Sequence, residues 1–435
     1  MIPRERLVLA LLGLSALPRV SLAAQGEPAA SEPSATTREP SPTLAAATQA
    51  TGPTSDPATP PPGEPNAPSA PGAYPAGVAG APTPAGRRVV ASLEPLGVDV
   101  LAGVDLAGSY VYRRQRAQAA DGASDWFHVF ELTRGHLALG AESSHAEGRL
   151  LVETVRSAAD GSLTGVAGDS LVLRAREAFV GLSTCGRRRP AEPNLDLAPC
   201  LRTVRGRASL GVVPTPLLAE LDGTAMMGPL SRSTGERESW LSPSDAGVSA
   251  RLDFGAAAHV TGGVFNGEGY GQRELNRGKN GEVVLVGRPL SPLGLAPFAL
   301  VGAAAVGSEG VGLARANRWT GAAVWQGSSL RAGVAFTQAS GILGDGAREA
   351  RAFELFSRGE LPLGFTVGGR VAHVQRNIAA TGDALSTVVV FVGHRPAPLF
   401  EVDLVFDHQL PASITRSIVQ GVDRTEVRLV GRFVL

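Results

Sequence analysis

The sequence predicts an all-β protein, a transmembrane antiparallel β-barrel of sixteen strands, preceded by a signal peptide and a disordered Pro-rich tether. Three observations lead to this fold class. The chain begins with an export signal and has no later apolar run long enough for a membrane helix. Its second part consists of long segments in which apolar and polar residues alternate. The connections between these segments alternate between short and long, which is typical of single-chain outer-membrane barrels.

The N-terminal residues 1–24 have the layout of a secretory signal peptide. Arg4 and Arg6 precede an apolar run over 7–17, and small residues follow at Ala23 and Ala24. Because only helices and closed barrels satisfy their backbone in lipid, an exported chain without a second apolar run can span a membrane only as a barrel.

Residues 25–88 differ sharply in composition from the rest of the chain. They hold 15 of its 32 prolines, mixed with Ala, Ser, Thr and Gly. Such a segment buries too little apolar surface to fold. We therefore expect an extended tether, for which spacing is the simplest role and cell-wall binding stays open. The barrel domain is predicted to span 89–435.

The stretch 98–113 is the clearest predicted strand. Val104 and Tyr110 lie on one face at period two, and Asp99 and Asp105 lie on the other. A tilted strand needs roughly 9 to 11 residues to cross a bilayer, and this stretch is long enough.

The same alternation recurs in fifteen further segments, which makes the strand count even. The predicted strands are 126–142, 148–156, 171–182, 204–212, 247–254, 258–266, 282–290, 298–306, 319–325, 330–337, 351–360, 365–376, 385–393, 400–408 and 424–435. Short turns are expected at 143–144, 255–257 and 291–295. Nine aromatic residues are candidates for the two girdles at the membrane surfaces. They are Tyr110, Tyr112, Trp126, Phe127, Trp319, Trp325, Phe391, Phe400 and Phe433.

Charge is balanced, with Lys+Arg 40 against Asp+Glu 40, and no basic domain indicates nucleic-acid binding. The last two predicted strands each carry charges on one face only. Glu401 and Asp403 share a face of one strand, and Arg428 and Arg432 share a face of the other. Such charges can pair across strands in a watery lumen, whereas lipid would make them costly.

Two segments carry a family resemblance. Residues 242–280 combine a strand start Asp-x-Gly, a tight hairpin, a strand ending Val-Phe-Asn-Gly and a polar loop, and residues 205–216 run into a Thr-Pro loop entrance. Here the chain resembles the phosphate-selective porin O and P family, well over about 200–290 and elsewhere only in its strand rhythm. The resemblance implies a trimeric, general or anion-preferring diffusion channel in the outer membrane of a Gram-negative bacterium. Its partners would be membrane lipid and small anions or other small hydrophilic solutes.

The resemblance also implies that the third long loop, 213–244, folds inward and narrows the pore. The charged candidates in this loop are Glu220, Asp222, Arg232, Glu236, Arg237 and Glu238. Lys279 is the single lysine of the chain, so the lysine cluster of phosphate-selective members is missing. We therefore expect a weakly anion-preferring or unselective channel.

A basic patch on three consecutive strands is the candidate pore lining. Its members are Arg174, Arg176, Arg205, Arg207 and Arg251, with Asp253 beside them. A ring of one charge sign selects ions of the other sign. The alternative, left open here, is that the arginines only pair with Asp253 and the acidic loop residues.

Cys185 and Cys200 are the only cysteines, and an oxidising compartment favours a disulfide between them. Closing this loop would stabilise the fold by about 3 kcal/mol. The strand count puts the loop on the side of the short turns. No histidine spacing indicates a metal site and no nucleophile motif indicates catalysis, so we expect neither an enzyme nor a cofactor.

A second hypothesis is a non-conducting exported β protein. It would be either a barrel plugged by the 213–244 loop, or a surface-attached sandwich or solenoid held by the tether.

Overall fold

A computed structural model describes residues 88–93, 96–116, 124–156, 171–184, 204–255, 257–267, 269–270, 278–309, 314–342, 345–412 and 423–435. The predicted signal peptide, nearly all of the tether and both cysteines lie outside these residues. Their predictions therefore stay predictions. Within the described part, no helix is both long and apolar enough to cross a membrane.

Nineteen strands are described, and sixteen of them form one closed antiparallel barrel. They are β1 (Arg88–Leu93), β2 (Val98–Arg116), β3 (Ser124–Glu142), β4 (Ala146–Arg156), β5 (Leu171–Ser183), β6 (Val204–Pro214), β7 (Ser244–Phe254), β8 (Ala258–Phe265), β9 (Asn280–Gly287), β10 (Phe298–Val306), β11 (Ser308–Glu309), β12 (Ala314–Arg315), β13 (Asn317–Gln326), β14 (Leu330–Ile342), β15 (Asp345–Glu360), β16 (Phe365–Gln375), β17 (Ala384–Ala397), β18 (Phe400–Pro411) and β19 (Arg424–Val434).

The barrel closes between its first and last strands. Leu429 of β19 lies opposite Tyr110 of β2, and Val104 and Leu435 exchange two backbone hydrogen bonds of 3.0 and 2.8 Å. Every other neighbour in the ring follows in chain order, with β11 and β12 forming a separate small ribbon between β10 and β13. The predicted sixteen-stranded barrel is confirmed, and the sandwich and solenoid alternatives are wrong because this sheet has closed on itself.

The strand β1 was not predicted. β2 has 19 residues and β19 has 11, so β19 pairs with only the second part of β2. The first part of β2 would present unpaired backbone groups, which are a hazard at a sheet edge. β1 covers that edge by pairing with residues 98–102.

The two ends of the barrel differ. At one end, here the short-turn end, neighbouring strands join through 143–145, 255–257, 327–329 and 398–399. At the other end, here the long-loop end, the longest connection that is described without a gap is 215–243. β5 ends and β6 begins at the short-turn end, and the cysteine loop between them lies outside the described residues.

Side chains alternate between an apolar outer surface and a charged interior. On β18, Leu404 and Phe406 are exposed on the outside, while Glu401 and Asp403 are buried inside. This pattern suits lipid outside and polar groups inside.

The aromatic residues follow the same alternation. Tyr112 and Trp126 stack on the outer surface with ring centroids 5.1 Å apart. The girdle prediction for Phe391 is wrong, because this residue is 1% exposed and packs in the interior. Residue type alone suggested the girdle, whereas its neighbours Val390 and Val392 occupy the outer face.

Buried ion pairs join the strands around the closure. Asp105 of β2 accepts hydrogen bonds from Arg134 of β3 at 2.7 Å and from Arg432 of β19 at 2.9 Å. Arg432 also lies 3.6 Å from Glu401 of β18. Asp105 and Arg134 are 2% and 1% exposed. One carboxylate therefore compensates two guanidinium groups inside the barrel.

We predict that Asp105→Ala lowers the free energy of unfolding by about 3 kcal/mol, because removing one partner leaves buried charges uncompensated. Urea unfolding from lipid vesicles, followed by tryptophan fluorescence, measures the change. Asp99→Ala is the matched control on the same strand. Asp99 accepts an exposed hydrogen bond from Ser92, so we expect a loss below about 1 kcal/mol. Equal losses would contradict the assignment of Asp105 as the central anion.

Candidate functional site

The connection 215–243, here the inner segment, contains two helices. α1 (Pro216–Ala225) begins with proline, whose fixed backbone angle suits the first helical position, and ends at Met226 in the left-handed region with φ 49°. α2 (Thr234–Arg237) is capped by Ser233, whose side chain accepts from the Glu236 backbone N–H.

The inner segment lies inside the barrel. Its apolar side chains join one buried cluster with wall residues from strands on several sides of the ring. The segment contributes Leu217, Leu221, Ala225, Met227 and Leu230, and the wall contributes Ala107, Val284, Val286, Ala299, Val301, Val324, Phe356, Val389, Phe391, Val405 and Val430. These wall residues alternate with the exposed apolar residues of the outer face, so the cluster occupies the interior.

Wall arginines bind the backbone of the inner segment. Guanidinium groups from three strands donate to carbonyl groups of the segment. The pairs are Arg358 with Met226 at 2.7 Å, Arg428 with Leu230 at 2.8 Å and Arg318 with Trp240 at 3.0 Å. A buried loop must find partners for its backbone groups, and the wall supplies them.

Wall carboxylates bind the opposite kind of backbone group. Glu282 of β9 accepts from the Leu217 N–H at the start of α1. Glu354 of β15 accepts from both the backbone N–H, at 2.7 Å, and the hydroxyl of Thr234 at the start of α2. Both carboxylates therefore meet a helix start, where N–H groups lack partners within the helix.

Two predicted loop residues pair with the wall. Glu220 of α1 lies 3.2 Å from the His259 ring nitrogen, and Glu238 accepts from Arg376 at 2.8 Å. Burial favours the neutral form of Glu220, but the hydrogen bond and charge of His259 hold the pKa of its carboxyl below the usual range. Both residues therefore fasten the inner segment.

The other charged candidates of this loop either contact a neighbouring loop residue or line a cavity. The Arg237 side chain is 3.6 Å from the Glu238 carboxylate. Arg232 and Glu236 line one cavity, described below.

Two carboxyl groups of the inner segment have raised pKa values, chiefly because they are buried. Burial, together with the negative charge of Glu236, raises the pKa of Asp222 to about 7. Burial also raises the pKa of Glu236, against the opposing charges of Arg232 and Arg176. Seating of the segment therefore makes the ionised form of both groups less favourable than it is in water.

The predicted basic patch separates into two groups at different depths. Arg174 and Arg176 lie on the half of β5 nearer the long-loop end, and both contact Glu153 of β4, at 2.6 and 3.4 Å. Arg174 also donates to the hydroxyl of Tyr270 at 2.7 Å. This first group is largely buried.

The second group lies at the short-turn end. Arg205 is opposite Asp253 in the β6 and β7 register, and Arg207 is opposite Arg251. Arg207 and Arg251 carry like charges, but each has a carboxylate partner. Arg207 pairs with Glu147, and the Arg251 guanidinium lies 2.8 Å from the Asp253 carboxylate. The partners are thus mainly wall residues of neighbouring strands and not acidic residues of the loop.

Several site residues were missed by the sequence reasoning. They are Glu147, Glu153, Tyr270, Glu282, Arg318 and Glu354. Glu282 carries one usable signal, a single charge on an otherwise uncharged inward face. Glu354 is not marked out in this way, because it shares the inward face of β15 with Arg348 and Arg358. Tyr270 carries none, since it belongs to a loop.

Among the residues that the structure describes, no three His, Cys, Asp or Glu side chains form a group that could hold a metal ion.

No family model matches this chain, and no curated protein matches it by sequence. Solved structures do match. The anion-selective porin from Comamonas acidovorans has a TM-score of 0.53 and 10% identity, covering 77% of this chain and 99% of its own. OmpF of Salmonella typhi in complex with daunomycin has a TM-score of 0.51 and 13% identity, with 78% and 98% covered.

The outer-membrane channel DcaP of Acinetobacter baumannii has a TM-score of 0.50 and 10% identity, covering 78% of this chain and 97% of its own. These likenesses show that the chain has a porin fold. At such low identity they do not extend to the solute.

We predict that the inner segment is held more firmly at pH 5 than at pH 8. When the segment is detached, Asp222 has an ordinary pKa near 3.8, against about 7 when seated. Between these values the detached state releases a proton that the seated state keeps, so the seated state loses stability as pH rises. Hydrogen exchange over 216–230, corrected for intrinsic rates, measures this protection.

Asp222→Asn should reduce the pH dependence and protect the segment better at pH 8. Asp253→Asn, which makes the same charge change outside the segment, should leave the dependence as it is. An unchanged profile in Asp222→Asn would exclude this carboxyl as the cause.

Proposed function

We propose that the protein is a porin, a passive diffusion channel for small hydrophilic solutes or ions in the outer membrane of a Gram-negative bacterium. The observation that carries this proposal is the closed sixteen-stranded barrel with an apolar outer face and a charged interior. Such a barrel satisfies its backbone in lipid and encloses polar groups that can meet solutes. The likeness to solved porins supports the same function, which requires no catalysis.

The inner segment is proposed to narrow the channel. Its apolar cluster includes wall residues of β2, β9, β10, β13, β15, β17, β18 and β19, so it extends across the interior. One observation favours the second candidate, a barrel that the segment keeps closed. Inward charges such as Arg176 and Glu153 are each only 1% exposed, which leaves little water beside them.

A weak anion preference is proposed from the accessible members of the ion pairs. In the pairs nearest solvent, the guanidinium is more exposed than its carboxylate partner. The side chain of Arg207 is 40% exposed against 8% for Glu147, and that of Arg395 is 44% against 5% for Glu401. A permeating ion would therefore meet positive charge first, which favours anions.

The finer family assignment, to the phosphate-selective porin O and P family, and assembly as a homotrimer rest on the sequence resemblance. Both stay predictions.

Planar-bilayer recording of the refolded protein tests the channel. We expect stepwise currents and, under a salt gradient, a reversal potential on the anion side. The double change Arg205→Glu and Arg207→Glu should shift this potential toward cation preference, because both residues lie at the short-turn mouth. Arg114→Glu is the matched control, since Arg114 stands over Trp126 on the outer face. An equal shift in the control, or none in the double variant, would remove the two arginines from the pore.

Replacing residues 216–242 with a short Gly-Ser linker should raise the single-channel conductance severalfold, because the segment occupies the interior. Mobility of unheated and heated samples on denaturing gels verifies that the variant still forms a barrel. Silent wild-type protein beside a conducting deletion would favour the closed barrel. Equal conductance of the two would show that the segment lies outside the ion path.

A further inference from the structure

A cavity of about 130 Å³ lies between the inner segment and the barrel wall. Wall residues come from β5, β7, β8, β9, β10 and β13, and the segment supplies the opposite side. The residues that matter below are Arg174, Glu236, Trp240, Asp245, Phe265 and Glu282. Trp240 and Phe265 give the cavity an apolar part, so its charged groups act in a medium poor in water.

Most charged groups around this cavity already have partners. Asp245 accepts from the backbone N–H groups of Ala246 at 2.7 Å and Gly267 at 2.6 Å. Glu282 binds the start of α1, and the Arg318 guanidinium donates to backbone carbonyls. These groups shape the cavity and are not available to a ligand.

Two groups of opposite charge do not have their hydrogen bonds completed. Among the residues that the structure describes, both carboxylate oxygens of Glu236 are buried without a hydrogen-bond partner, and the residue is 6% exposed. Nη1 of Arg174 is also buried without a hydrogen-bond partner among these residues, although the Nε and Nη2 atoms of the same side chain donate to Glu153 and Tyr270. Leaving a buried charged group without a hydrogen bond is costly.

The positions of both groups are fixed by their surroundings. The Ser233 cap holds the start of α2, on which Glu236 lies. The Arg174 guanidinium is held by two hydrogen bonds and stands over the Tyr270 ring at 4.3 Å. A ligand would therefore find one anion and one donor already in place, which lowers the entropic cost of binding.

We propose that this cavity binds a small zwitterion, an α-amino acid with a short side chain, whose ammonium group meets Glu236 and whose carboxylate meets Arg174. A simple anion would leave the carboxylate oxygens of Glu236 without a hydrogen-bond donor, although Arg232 and Arg176 offset its charge, and a simple cation would leave Nη1 of Arg174 without an acceptor. The volume of about 130 Å³ is close to that of an engineered protein cavity of about 150 Å³ that holds one benzene molecule, so it suits a ligand of this size. The inference rests on the proposed channel and names a solute class for it.

Isothermal titration calorimetry of the detergent-solubilised protein with L-alanine tests the site. We expect saturable binding of one alanine per chain, and at least tenfold weaker binding of acetate and of methylammonium, which each carry one charge. Glu236→Gln should weaken alanine binding at least tenfold. Glu360→Gln is the matched control, because Glu360 is exposed at the end of β15 and lies outside both the inner segment and the cavity lining; its alanine binding should stay within twofold.

No saturable binding of alanine, equal binding of acetate, or equal loss in the two variants would overturn the proposal and indicate a cavity that holds water. If Glu236→Gln does not fold, the series of three probes on wild-type protein still decides. Ion currents recorded without alanine separate the two proposals. Conduction without alanine binding overturns the amino-acid site alone, whereas alanine binding by a silent barrel overturns the channel alone.

Discussion

The pairing of backbone hydrogen-bond groups is the constraint on which this structure depends. In the hydrocarbon region of a membrane there is no water to hydrogen-bond with an unpaired N–H or C=O group, so the sheet must close. Closure between β2 and β19 meets that demand, and β1 meets it where β2 extends past its partner. The same demand returns inside the barrel. The inner segment buries its backbone there, and wall residues complete its hydrogen bonds. Arginine side chains donate to its carbonyl groups, and glutamate side chains accept from its N–H groups.

The interior charges consequently have two duties. Some, such as Asp105 with Arg134 and Arg432, join neighbouring strands across the closure. Others, such as Arg358 and Glu354, hold the backbone of the inner segment. Several buried charges, Arg134 among them, keep an atom without a hydrogen-bond partner among the described residues, so an incomplete hydrogen bond is not by itself a sign of a ligand. It becomes informative where such a group also lines a cavity, as Arg174 and Glu236 do.

The strands could be predicted because alternation is a local property. Phe298–Val306 was predicted with the bounds that the structure shows, and the even count followed from the connections. Partners could not be predicted in this way. Tyr270 donates to Glu153 across 117 positions of the chain, and no local pattern marks that contact. The basic patch illustrates a subtler limit. Its strands are neighbours, but residue spacing does not give depth, so Arg174 and Arg205 belong to different levels of the barrel.

Opposing effects act on the inner segment, and their balance decides whether it is a plug or a constriction. Apolar packing of Leu217 and Met227, together with the backbone bonds from the wall, favours the seated position. The raised pKa values of Asp222 and Glu236 show that seating also buries two carboxyl groups that repel each other. A ligand ammonium group beside Glu236 would relieve part of that repulsion. Occupancy of the cavity and seating of the segment are therefore thermodynamically linked, and each stabilises the other.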